Sequence, residues 1–173
     1  YDVTGFTESD VTVTNGTKGT FAAVDARNYT LVVTPTADGP VVASLAANVV
    51  NEGNPTATAT VNSDHVGPTL VISPNGTSTK SVSFTFQFSE SVTGFSASDI
   101  TLSQGSVGSV TTVDADTYTI FVNSSGLTNG PVNVSVASNT VLDLAGNANT
   151  SGANATVTFD NVAPTVTITP NSG

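Results

Sequence analysis

Residues 3–16 of the chain are written again 89 positions later as residues 92–105, with eight of the fourteen positions identical. Residues 64–75 return in the same way as residues 160–171, at an offset of 96. A period of that length is too long for a solenoid repeat and the right size for a self-sufficient β-sandwich. The chain therefore reads as a tandem array. Arrays of sandwiches suggest a spacer or a polymer before they suggest an enzyme.

The 173 residues have room for one large domain or two small ones, and the repeat decides for two. Their apolar residues are mostly Val, Ala, Leu, Ile and Phe alternating with Thr, Ser and Asn, the pattern of antiparallel sheets with one wet face. Thirteen acidic residues face only Lys18, Arg27 and Lys80, for a net charge of −10. Phosphate recognition needs clustered Lys and Arg, so nucleic acid is excluded as a partner. An anionic membrane surface is disfavoured for the same reason, and no apolar run approaches the roughly 18 residues of a membrane span. Cations are what this surface attracts. Without Cys there is no disulfide, thiolate metal site or Cys nucleophile. No signal peptide opens the chain at Tyr1, which fits a processed or truncated start, because the first residues fall in mid-repeat.

The second repeat, 64–160, reads as seven strands near residues 69–73, 82–88, 99–103, 109–113, 118–122, 132–137 and 155–159. Strict alternation over residues 82–88 puts Val82, Phe84, Phe86 and Phe88 on one face. Those side chains, with Tyr118, Ile120 and Val134, are the predicted core. Helix signals are absent apart from a single turn near residues 96–99. The first repeat, 1–63, aligns with the last five strands only and lacks the first two. Residues 161–173 match the first strand of a further repeat, with Val166 and Ile168 on one face. Two explanations compete for these ragged ends. Either the chain is a stretch of a longer array, or copies complete each other by exchanging strands, the segment at 165–169 docking on the first repeat of a neighbouring copy. An uncovered sheet edge is otherwise an aggregation hazard.

Several motifs resemble the bacterial immunoglobulin-like domains strung in tandem in large surface adhesins and extracellular structural proteins. They are Phe88-Ser89-Glu90 followed by Val92-Thr93-Gly94-Phe95 and Ser98-Asp99-Ile100, then Asp116-Thr117-Tyr118-Thr119, and Leu142-Asp143-Leu144-Ala145-Gly146-Asn147. The linker Asp160-Asn161-Val162-Ala163-Pro164 is similar to those of calcium-binding cadherin-like modules. The resemblance covers both repeats. It implies an all-β fold of tandem immunoglobulin-like β-sandwiches, the first lacking its first two strands, and a lifestyle rather than a ligand.

Tracing the seven strands up and down brings Asp64, Glu90, Asp99, Asp114, Asp116 and Asp143 to one pole of the second repeat. Carboxylates so gathered repel one another unless a hard cation neutralises them, and Ca²⁺ takes six to eight oxygens from carboxylates, Asn side chains and backbone carbonyls. The predicted calcium ligands are Asp64, Glu90 and Asp143, with Asn147 a weaker fourth. Against this stands the plainer reading that each Asp or Asn holds a β-turn by bonding its own backbone. In the first repeat Tyr1 stands at the Glu90 position, and Asn51-Glu52-Gly53-Asn54 is a shortened version of the Asp143 loop, so a site there would be altered or missing. His65, the single histidine, lacks an identifiable nucleophile partner and reads as a linker residue. Paired carboxylates such as Asp114 and Asp116 lack the aromatic cleft of a glycosidase. Asn15, Asn28, Asn75, Asn123, Asn133, Asn149 and Asn154 occupy Asn-x-Ser/Thr glycosylation sequons, of which Asn133 lies in a strand and is a poorer acceptor.

The function these readings favour is non-catalytic: an extracellular, cell-surface structural module that extends or polymerises into an adhesin, filament or sheath. Its partners would be neighbouring copies or repeats of the same protein. The alternative is a recognition module whose pole loops bind a glycan or a protein receptor.

Overall fold

The computed structural model describes residues 2–51, 53–76 and 81–170. Tyr1, Glu52 and Lys80, all named in the sequence reading, lie outside them, as does the end of the repeated stretch at residue 171. The chain divides into two compact units at Val66/Gly67.

The first unit holds β1 (Val11–Thr14), β2 (Gly16–Ala23), β3 (Tyr29–Pro35), β4 (Gly39–Leu45) and β5 (Ala57–Ser63), preceded by a 3₁₀ turn at Glu8–Asp10. They form one sheet in the order β1-β4-β5 and a two-stranded sheet β2-β3, all antiparallel. The second unit holds β6 (Leu70–Pro74), β7 (Val82–Phe88), β8 (Val92–Thr93), β9 (Ile100–Leu102), β10 (Ser106–Thr112), β11 (Thr117–Asn123), β12 (Gly130–Val136), β13 (Leu142–Asp143) and β14 (Ala153–Phe159). Its sheets run β10-β11-β7-β6 and β14-β12-β9, with β13-β8 as a separate pair. The register repeats between units. Val11 pairs with Leu45 in the first, and Ile100 pairs with Val136 in the second.

The predicted all-β architecture is the observed one, including the single turn at Ala97–Asp99. Nine strands replace the predicted seven because β8 and β13 are two residues each, too short to show a period. Residues 165–169, expected as a strand, form none and pair with nothing among the described residues. A lone strand has no partner for its backbone groups and so gains nothing by extending.

The core belongs to the second unit. Strand β7 alternates inward, pairing with β6 on one edge and β11 on the other. Phe84, Phe86, Phe88, Tyr118, Ile120 and Val134 are buried in one cluster, while Thr85 stays half-exposed. Phe95 packs on Phe86, Phe88 and Tyr118 with ring centroids 5.3, 5.2 and 5.0 Å away, in the tilted and edge-on arrangements that aromatic quadrupoles favour. The first unit has no counterpart of β6 or β7 among the described residues. Phe6, Phe21 and Tyr29 cluster there at 4.9–5.7 Å, yet none of its described residues is fully buried. In the second unit those two strands cover the core.

Replacing Phe86 with Ala should therefore lower the stability of the second unit by about 3–5 kcal/mol, the usual cost of emptying a buried aromatic site. Phe121 lies on the outer face of β11 and is 52% exposed. Its replacement by Ala should cost under about 1 kcal/mol, read in the same denaturant titration.

Candidate metal centre

The loop between β12 and β14 carries the chemistry. Its frame is Asn149, fully buried, whose Oδ1 accepts the N–H groups of Thr140 (3.0 Å) and Val141 (2.9 Å) and whose Nδ2 donates to the carbonyls of Ala137 (2.8 Å) and Ser151 (2.9 Å). All four hydrogen-bonding positions of the amide are thus used, as a buried amide requires. The same bracket stands in the first unit. Asn54 Oδ1 accepts the Val49 N–H, and its Nδ2 donates to Ala46 and Pro55. In both units the loop enters through an asparagine of positive φ, Asn139 at 58° and Asn48 at 60°, a region Asn tolerates better than most residues. Between its two asparagines the first loop is four residues shorter.

The second loop uses its extra length to present Asp143. Strand β13 pairs with β8 so that Asp143 sits opposite Val92, two residues from Glu90. A carboxylate oxygen of Glu90 lies within 4.8 Å of one of Asp143. Asp143 is buried, and Asn147 clamps it: the Asn147 backbone N–H reaches Oδ1 at 2.8 Å and its Nδ2 reaches Oδ2 at 2.9 Å. Burial acts to raise the Asp143 pKa. The Asn147 side chain and the backbone N–H groups of Asn147, Gly146 and Ala145 overcome it and hold the carboxyl below its ordinary value of 3.8. The hairpin turn between β10 and β11 closes on the same end, since Ala115 and Asp116 carbonyls accept the N–H groups of Val92 and Phe88. Gly67 seats against this loop. A Cβ there would stand 1.9 Å from the Ala148 carbonyl oxygen, so only glycine fits.

The other carboxylates of the predicted pole bond within their own turns or to adjacent strands. Asp99 accepts the Ser96 N–H at 2.8 Å and hydroxyl at 3.0 Å, closing a 3₁₀ turn. The first unit repeats this with Thr7 and Asp10. Asp114 accepts the Asp116 N–H, and the Thr117 hydroxyl followed by that N–H lowers its pKa. Asp25, its counterpart, is lowered in the same way by the Asn28 side chain and the N–H groups of Arg27 and Asn28. Asp116 Oδ1 accepts from Gln87 Nε2 at 2.8 Å. For Asp99 and Asp114 turn chemistry accounts for the residue. Asp64, in the first unit, accepts the Val66 N–H at 3.0 Å.

His65 meets Asp38 Oδ1 through Nδ1 at 3.0 Å, and Ser63 Oγ approaches that same nitrogen at 3.3 Å. A relay needs the hydroxyl and the carboxylate on opposite ring nitrogens, so this trio is a surface contact rather than a triad. The sequon reading needs one correction. Asn149, read from sequence as a glycosylation acceptor, is fully buried with both amide hydrogens engaged, so the folded chain cannot present it. Its bracket escaped sequence reading because Asn-Thr-Ser is shared by sequons and turns alike. The one signal available was its counterpart Asn54, at the end of a loop of different length.

A family model described as a bacterial Ig-like domain matches residues 2–66 and again residues 53–159. The chain belongs to the bacterial Ig-like domain family. None of the curated proteins matches it. Bacterial Ig-like domains are generally non-catalytic and typically extracellular or surface-exposed. No helix among the described residues is long and apolar enough to cross a membrane.

Two outcomes follow for the Ig-like loop. Asn149→Ala leaves buried backbone groups unpaired and should destabilise the second unit by about 2–4 kcal/mol in denaturant titration. Because the Asp143 pKa is lowered by folding, its contribution is present above 3.8 and is lost as pH falls below that value. The melting temperature of Asp143→Asn should therefore vary less than wild type between pH 5 and pH 2.

Proposed function

We propose that the chain is a non-catalytic extracellular structural module, in which tandem Ig-like units act as stiff spacers that extend or polymerise into a surface adhesin, filament or sheath. The observation that carries this reading is the repeated match to one Ig-like domain family along the chain. The placement of the rings supports a spacer over a sugar-binding module. Of the described aromatic side chains only Phe121 stands more than half out of the fold, and a sugar platform needs several.

A calcium ion held by Asp64, Glu90 and Asp143, with Asn147 orienting Asp143, would stiffen the spacer. What supports it is the closeness of the Glu90 and Asp143 carboxylates and a chain with three basic residues to balance thirteen acidic ones. Two like charges so placed in a partly buried site favour a divalent partner. The buried, clamped Asp143 gives the ion one preorganised ligand.

Calorimetry of the whole chain in millimolar calcium and in EDTA tests this. At calcium about 100-fold above its Kd, linkage adds about 2.7 kcal/mol, which is a rise of several degrees in melting temperature. Glu90→Gln and Asp143→Asn should each remove most of that rise. Identical melting curves with calcium and EDTA would overturn the cation site.

A further inference from the structure

We propose that Asp38 and Asn129 are positioning residues that fix the direction in which the chain leaves each unit, each holding the first residues of the following linker with a side-chain oxygen. This deepens the spacer reading above by naming what stiffens a joint, and it rests on that reading for its use alone.

The same latch is built twice. In the first unit the β4-β5 ladder ends with Gly39 opposite Ser63, and in the second the β12-β14 ladder ends with Gly130 opposite Phe159. Both glycines have positive φ, 106° and 133°, with no described atom within 4 Å of where a Cβ would stand. Glycine is needed there for the turn of the backbone and not for room. Pairing stops at these turns, and the side chain of the residue before each glycine supplies the next acceptor. Asp38 Oδ1 accepts the His65 N–H at 2.8 Å, and Asn129 Oδ1 accepts the Asn161 N–H at 2.8 Å. The following N–H is taken as well, that of Val66 by Asp64 Oδ1 at 3.0 Å and that of Val162 by Asp160 Oδ1 at 2.9 Å. Consecutive backbone donors past the last strand are therefore held in each unit, where a free linker would give them to water.

What the two latches share identifies the working atom. One is a carboxylate meeting a histidine and the other an amide meeting an asparagine, so neither the charge nor the linker side chain is common to them. An oxygen acceptor followed by Gly-Pro is common, as Asp38-Gly39-Pro40 and Asn129-Gly130-Pro131. The proline has a fixed φ, which leaves the turn fewer ways to relax. Past Val66 the chain is seated on the second unit: Gly67 against the Ala148 carbonyl, Pro68 fully buried, and Thr69 exchanging hydrogen bonds with Ser89 at 3.0 Å in each direction. Without the latch, residues 64–66 are a short tether with open torsions; with it they continue β5.

Amide exchange of the whole chain in EDTA, read residue by residue, tests this with calcium excluded. The His65 and Asn161 amides should exchange about two- to tenfold more slowly than those of an unstructured chain, the worth of one solvent-exposed hydrogen bond. Asp38→Ala should abolish that protection at His65 and leave Asn161 alone, and Asn129→Ala should do the reverse, with β4 and β12 still protected. Asp38→Asn and Asn129→Asp keep the oxygen and should keep the protection. Unprotected His65 and Asn161 amides in the wild type, alanine variants as protected as the wild type, or conservative variants as exposed as the alanine ones would each overturn the proposal, as would loss of protection throughout β4 or β12. Small-angle scattering of the same samples reads the spacer separately. Held latches in a chain that samples many lengths sink the spacer reading alone, and a chain of one length with free latches sinks the latch alone.

Discussion

Everything in this fold rests on the ladder of side chains that β7 drives between the sheets. Val82, Phe84, Phe86 and Phe88 are all at most 2% exposed, and each buried Phe contributes about 1.5–3 kcal/mol. Because β7 pairs on both edges, it also satisfies the backbone of β6 and β11. The described residues of the first unit include no counterpart of β7 or of β6. Its sheets keep their register and its aromatic trio still gathers, yet no described residue of it is fully buried.

The loops obey a different constraint. Both units use an asparagine to hold the chain where it leaves β4 in one and β12 in the other, Asn54 and Asn149, and both place a left-handed asparagine before it. That bracket fixes the ends of the loop and leaves its length free. The second unit fills the added length with a buried carboxylate beside Glu90, and the first does without it. The sandwich is common to both repeats, and what differs chemically sits on one loop.

Repeat and alternation made most of this legible. The face of β7, the core cluster and the five strands of the first unit follow from a period of two and an internal copy. The pairing of β8 with β13 was not legible, because two residues carry no period, although that pairing is what sets Asp143 near Glu90. Of the residues gathered on one pole by tracing the strands, Glu90 and Asp143 meet, and Asp99 and Asp114 are absorbed by their own turns. Sequence spacing could not separate those places, since an Asp that bonds within its own turn and an Asp brought beside a second carboxylate look alike until the strand pairing is seen. Asn149 looked like an exposed acceptor for the same reason.

Amide hydrogen exchange of the chain measures the closing role of β7 most directly. Strands β11 and β3 are counterparts in sequence and differ in having, and lacking, a neighbour on the outer edge. Amides along Thr117–Asn123 should exchange only through unfolding of the second unit, while those along Tyr29–Pro35 that face the open edge should exchange orders of magnitude faster through local opening. Equal protection of the two strands would contradict the claim that β7 closes the core.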